Sequence, residues 1–190
     1  AEKITDYMGR YFEEHCKIEK RSDAQWDSSS AYYAGIKKNC ALSKVVDMNE
    51  YLQMIQDDRY TVFMSIKGEG VSSLNDAIKS NLKALGLTSD FDKEIAYGKS
   101  YYAVIEKGKV IEEMSDEKVE ASGTLRKGRI CYKISSAGAK AGNECSINIA
   151  DHEFSKNERG FNIVVYDNDL KNVIDSVVFD TCDTTLTATR

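Results

Sequence analysis

Proline is absent from all 190 residues, histidine occurs only twice and tryptophan once. The lack of proline is unusual but carries no chemical message. The shortage of histidine does carry one. General acid–base chemistry and metal binding both draw on it heavily, yet no Cys/His set falls at metal-ligand spacing. His15 sits on an apolar helical face and reads as a packed residue; His152 sits in a hairpin turn and reads as exposed. Positive charge is also short. The formal net charge of -5 argues against a nucleic-acid partner, because phosphate binding needs a basic face. Clusters such as Lys37-Lys38 and Arg126-Lys127 read as solvated loop charge. No apolar run approaches the roughly 18 residues of a membrane span, and no signal peptide is read.

What is present is ordinary globular material, 42% hydrophobic and 30% charged, long enough for one cored domain plus an N-terminal extension. Cysteines stand at 16, 40, 131, 145 and 182. Their number is odd and no C-x-x-C occurs. Free thiols in a reducing compartment and one or two disulfides both remain open.

Residues 1–21 read as an amphipathic helix, with Ile4, Tyr7, Met8, Tyr11, Phe12, His15 and Ile18 on one face. Residues 23–44 are the least legible, and Trp26, Tyr32 and Tyr33 there read as packing aromatics. We expect residues 1–44 to be a helix-and-linker extension and residues 45–190 the main domain.

From Asp47 the pattern sharpens. Asp47 and Glu50 form a capping-type start to a short helix. Residues 59–67 read as a strand covered on both sides, with Tyr60, Val62, Met64 and Ile66 on one face and Phe63 on the other. Leu74, Ile78, Leu82 and Leu85 repeat at helical spacing up to Gly86, a C-terminal cap. The intervening glycine loop, residues 67–73, resembles a phosphate cradle only superficially, because neither G-K-[ST] nor G-x-G-x-x-G is present. Further strands are expected at 101–106 and 109–113 around Lys107-Gly108, then at 119–125, 130–135 and 145–149. The densest signal is a hairpin. Residues 161–166 and 173–179 are β-branched and aromatic runs joined by a polar Asn/Asp turn. Eight or nine strands, mostly joined by hairpins, with about three flanking helices, indicate an α+β fold of largely antiparallel, sandwich-like sheets.

That hairpin also carries a resemblance. Arg159-Gly160, then Asn162-Ile163-Val164-Val165, then Val173-Ile174-Asp175-Ser176-Val177-Val178-Phe179-Asp180-Thr181, is similar to the signature of the interleukin-like EMT-inducer (ILEI/PANDER-like) domain. The resemblance spans residues 45–181. The stretch from Tyr60 through Glu69 and Leu74 to Ile105 resembles the back half of that domain. The stretches at 132–138, 143–149 and the Arg159 hairpin resemble its front half. The halves therefore stand in swapped order, and a circular permutation is expected; parts of two copies is the alternative.

The family includes secreted cytokine-like proteins, a carbohydrate-binding stem domain of a glycosyltransferase, and domains beside bacterial glycosyltransferases. The resemblance thus implies a non-catalytic carbohydrate-binding or glycosyltransferase-accessory module, cytoplasmic in the bacterial setting. A protein-interaction or cytokine-like module is the alternative, secreted in that case. Arg159 matches the family's turn arginine. Glu69 lies beside the glycine that replaces an expected aspartate, and Gly98-Lys99 stand where Arg-Asp is expected. With Tyr101 and Tyr102 as an aromatic surface, Arg159 and Glu69 make the expected carbohydrate site, provided all four converge on one exposed cleft. A structural role for Arg159, pairing with a carbonyl or carboxylate, is the competing reading. Neither cofactor, metal nor catalysis is expected from the domain on its own; a deep pocket holding a perturbed carboxylate or thiolate would be needed for an enzyme.

Overall fold

A computed structural model describes residues 31–125 and 128–190. The expected helix at 1–21, His15, Cys16, Trp26 and the Arg126-Lys127 pair lie outside the described residues, as do the side chains of Tyr32 and Tyr33. The chain divides into two units, Ala1–Val45 and Val46–Arg190. In the described part of the first, one helix is found, α1 (Ala31–Leu42), in a region whose sequence shows no clear period. Within it Asn39, Cys40 and Leu42 are buried. Cys40 is disulfide-bonded. Cys131, Cys145 and Cys182 are free thiols, so the disulfide reading holds, with these three cysteines outside it.

The second unit holds three helices and ten strands among its described residues. The helices are α2 (Met48–Met54), α3 (Asp76–Ala84) and α4 (Lys93–Ala96). Each starts on an acceptor side chain that binds an otherwise unpaired backbone N–H: Asp47 for Glu50, Asn75 for Ile78 and Asp92 for Glu94. The strands are β1 (Tyr60–Lys67), β2 (Ser100–Glu106), β3 (Lys109–Ser115), β4 (Val119–Leu125), β5 (Ile130–Ala137), β6 (Glu144–Ile149), β7 (His152–Glu153), β8 (Gly160–Asp167), β9 (Asn172–Phe179) and β10 (Ala188–Thr189). They form a six-stranded sheet in the order β10-β9-β8-β1-β2-β3 and a four-stranded sheet in the order β4-β5-β6-β7. Every ladder is antiparallel. The fold is the α+β, sandwich-like class expected.

Strand alternation sets the layers. On one face of β1, Phe63 meets Tyr132 of β5 edge-on, with ring centroids 5.2 Å apart. On the same face Ser65 Oγ donates to the Ser135 carbonyl at 2.7 Å. This face is closed by the four-stranded sheet. On the other face Tyr51 of α2 packs on Phe179 of β9 at 5.3 Å, and Phe91 packs on Tyr101 at 4.9 Å. The six-stranded sheet is therefore the middle layer, which is why β1, β2, β8 and β9 read as nearly continuous apolar runs. His152 is exposed, but it lies in β7 beyond the turn formed by Ala150 and Asp151.

Candidate functional site

β1 ends at Lys67, and the chain then turns through Gly68 at φ +70°. A side chain is disfavoured there: the left-handed φ strains an L-residue, and a Cβ on Gly68 would lie 2.7 Å from Asn143 Oδ1, which would have to move, and 3.6 Å from Arg159 Cγ. The glycine thus lets three loops converge. Gly68 bridges to Gly138 in the parallel sense, and Ala139 N–H donates to the Gly68 carbonyl at 3.0 Å. The third loop is the Arg159 turn. Asn162, fully buried, winds it, donating to the Glu158 carbonyl at 2.7 Å and accepting from Glu158 N–H at 3.3 Å. Asn157 adds its carbonyl to Lys67 Nζ at 2.7 Å and its Oδ1 to Cys145 N–H at 3.1 Å.

At this corner Arg159 is exposed and grips Asp180 with two parallel bonds, Nε to Oδ1 at 3.1 Å and a terminal nitrogen to Oδ2 at 2.6 Å. The pair holds the Asp180 carboxyl below its ordinary value, chiefly through that hydrogen bonding. The structural reading of Arg159 therefore applies, and its exposure leaves an outward edge for a ligand as well.

Glu69, the residue after Gly68, is only 6% exposed. Its Oε1 accepts from Val71 N–H at 2.7 Å and Ser72 N–H at 3.0 Å, and so folds the glycine loop around itself. Its Oε2 is buried with no hydrogen-bond partner, and neither does the fully buried Thr181 Oγ1 have one. Buried polar atoms are rarely left so, because the cost of desolvation is not returned. The exposed Cys182 thiol lies against Glu69. Burial first, then the Glu69 carboxylate, pushes that thiol above its ordinary value, away from the thiolate that a nucleophile needs.

The two tyrosines do not join this corner. They are neighbours on β2, so their side chains leave opposite faces of the middle sheet. Tyr101 is fully buried against Phe91 and Phe161, and its hydroxyl donates to Glu112 Oε2 at 2.8 Å. Tyr102 faces the four-stranded sheet, buried to 5% exposure, opposite Glu113 in the β2–β3 register. Burial raises the pKa of both phenols, with Glu112 and Glu113 adding to it. The expected convergence of four residues on one exposed cleft is not found: Glu69, Tyr101 and Tyr102 are buried and Arg159 alone is exposed. Arg159 and Glu69 both act on the Cys182 thiol, while Tyr101 and Tyr102 are held inside by the strand's central place in the sheet. Sequence reading missed Asp180, Thr181, Cys182 and Asn143. Asp180 and Thr181 close the signature hairpin, and their position opposite Arg159 follows from the pairing of Phe161 with Phe179.

Among the described residues there is no group of three His, Cys, Asp or Glu side chains that could hold a metal ion. No helix among them is long and apolar enough to cross a membrane. Residues 27–109 match the family model described as interleukin-like EMT inducer, which supports a domain of that type in this chain. No curated protein matches. No solved structure matches either.

Proposed function

We propose that this chain is a non-catalytic binding module whose ligand is a carbohydrate, held at the Arg159–Glu69 corner. The observation that carries this reading is the unpartnered Glu69 Oε2 beside the exposed Arg159–Asp180 pair. A buried carboxylate oxygen accepts only, Thr181 Oγ1 both donates and accepts, and the guanidinium offers donors in a plane. A sugar's vicinal hydroxyls complement that set, and no ionisation or bond cleavage is required of any of these groups. The pairing of β1 between β2 and β8 supports the permuted arrangement, because it joins the two family-like halves of the chain in one sheet. In a glycosyltransferase context such a module would hold the acceptor glycan rather than act on it.

The match to the interleukin-like EMT inducer model and the disulfide at Cys40 favour a second reading, an exported protein-interaction module, since persistent disulfides belong to oxidising compartments. An NMR titration of labelled protein with β-linked N-acetylglucosamine and mannose oligosaccharides separates the two. Shifts at Gly68, Glu69, Arg159 and Thr181 that vanish in Arg159→Ala are the expected result. A flat response across the panel overturns the carbohydrate reading and leaves the interaction module.

A further inference from the structure

The four-stranded sheet turns one face to the core and the other outward. Its outward side chains surround a concavity of about 640 Å³, lined by Glu120 and Ser122 of β4, Lys133 and Ser135 of β5, Asn148 of β6 and Asp151 of the β6–β7 turn. That volume is within the roughly 300–1,000 Å³ of small-molecule sites. It shares no residue with the Arg159 corner.

Two registers define its floor. Ser122 pairs with Lys133 and Lys133 with Asn148 in one row across three strands; Glu120, Ser135 and Ser146 form the next row. At roughly 4.8 Å between neighbouring strands, three side chains span the width of a sugar ring and its substituents. Hydrogen bonding divides these groups. The Ser146 hydroxyl is bonded to Glu153, and Glu153 also holds Ile147 N–H at 2.9 Å and Ser155 N–H at 2.8 Å. By contrast, among the described residues the side chains of Ser122, Lys133, Ser135 and Asn148 have no protein partner. Lys133 is thus a cation with no carboxylate within bonding distance, in the middle of a row of uncommitted hydroxyl and amide groups. Asp151 reaches the rim from a turn in which both Ala150 (φ +52°) and Asp151 (φ +62°) adopt the left-handed conformation that favours glycine.

We propose that this outer face is a second ligand site, for a sugar that carries a single acidic group. The anion sits on the Lys133 ammonium, and the sugar hydroxyls bond Ser122, Ser135 and Asn148. Glu120 and Asp151 accept from further hydroxyls at the edges. The same two carboxylates repel a polyanion, so the site selects one negative charge among hydroxyls over a densely charged chain. Ala121 and Ile134 are the apolar residues of the lining and no aromatic joins them, so affinity comes mainly from hydrogen bonds and one ion pair. It is therefore modest and weakens with salt.

The test is a ¹⁵N NMR titration of the full chain with three probes: a glucuronic-acid-containing disaccharide, a neutral glucose disaccharide and a polysulfated oligosaccharide. The acidic disaccharide should shift amides of Ser122, Lys133, Ser135 and Asn148, with a dissociation constant about tenfold or more below that of the neutral one. Lys133→Gln should abolish that difference and leave the rest of the spectrum in place; Asn148→Ala should weaken both disaccharides. Equal binding of neutral and acidic disaccharides, preference for the polysulfated probe, an unchanged Lys133→Gln variant, or no shift on this face would each overturn the proposal. Shifts confined to the Arg159 corner would overturn it while sustaining the first site.

Discussion

The Tyr51 hydroxyl donates to Asp175 Oδ2 at 3.0 Å, across 124 residues of sequence. It ties α2 to the strand β9 on which it packs. Arg190 completes the group. Its Nε lies 3.1 Å from Asp175 Oδ1, and its guanidinium sits 5.9 Å from the Tyr51 ring centroid. Burial raises the Asp175 carboxyl above its ordinary value, against the pull of Arg190 and Tyr51. A carboxyl so raised takes up protons on folding. The stability it contributes is present below the ordinary carboxylate pKa and is lost as pH rises through the raised value. Removing Arg190 raises Asp175 further. Arg190→Ala should therefore cost about 2 kcal/mol at pH 7, less than the roughly 3–5 of a fully buried pair because Arg190 is partly exposed. Urea unfolding at pH 7 and at mildly acidic pH checks this: the deficit should narrow as pH falls, because the raised Asp175 carboxyl takes up a proton more readily than an ordinary one.

Tyr101 is a core residue with one polar contact, and its replacement should show that. Glu112 also accepts from Thr88 N–H and Oγ1, both at 2.6 Å. Burial pushes the Glu112 carboxyl up, but these bonds and that from Tyr101 outweigh it and hold it below its ordinary value. Tyr101→Phe keeps the ring against Phe91 and removes one of several donors to Glu112. We expect a loss of about 1 kcal/mol with carbohydrate titrations at the Arg159 corner unchanged. A loss of binding without a loss of stability would return Tyr101 to the site.

Glu69 should separate structure from binding. Glu69→Ala strips the acceptor from two backbone N–H groups and should cost about 1–3 kcal/mol, with faster amide exchange at Val71 and Ser72. Glu69→Gln keeps an acceptor for those amides and offers the buried second position an N–H₂ instead of an oxygen. It should fold with near-native stability yet lose the ligand-induced shifts at Arg159, because a donor replaces the acceptor that the ligand's hydroxyl needs.

The fold was legible where one residue type repeats strongly. β8 and β9 announce themselves through Ile163, Val164, Val165, Val177 and Val178, and β1 through burial on both faces. α1 was not legible, because its sequence from Ala31 to Leu42 mixes tyrosine, glycine and lysine without an apolar stripe. The corner was half legible. Arg159 and Glu69 stand out by motif, but their neighbours Asn143 and Asp180 approach only through sheet register and the passage of the chain past Gly68. The tyrosines show a different failure. Adjacent residues of a strand cannot share a face, so the alternation was readable from Tyr101 and Tyr102. That β2 is covered on both faces depends on the second sheet and on Phe91, which local pattern does not encode.

Gly160 tests how closely that register is specified. It opens β8 at φ +103°, and a Cβ there would run into the Phe179 carbonyl oxygen and lie 2.9 Å from Thr181 N. Both obstacles are backbone, one at the end of the partner strand and one just beyond it, so no rotamer change relieves them. Gly108, in the β2–β3 turn at φ +74°, has nothing within 4 Å of the same built atom. The two positions share the left-handed strain of an L-residue, about 1–2 kcal/mol, partly offset by the stiffer unfolded chain. Only Gly160 adds the collision. Gly108→Ala should therefore lose about 1 kcal/mol, and Gly160→Ala at least about 2 kcal/mol more, since the β8–β9 pairing must spread where Arg159 meets Asp180. Urea midpoints give the difference, and amide exchange at Asn162 and Val178, paired across that end of the hairpin, shows whether the loss is local. Equal costs at the two positions would mean that the strand end gives way freely and that the Arg159–Asp180 geometry is not held by the sheet.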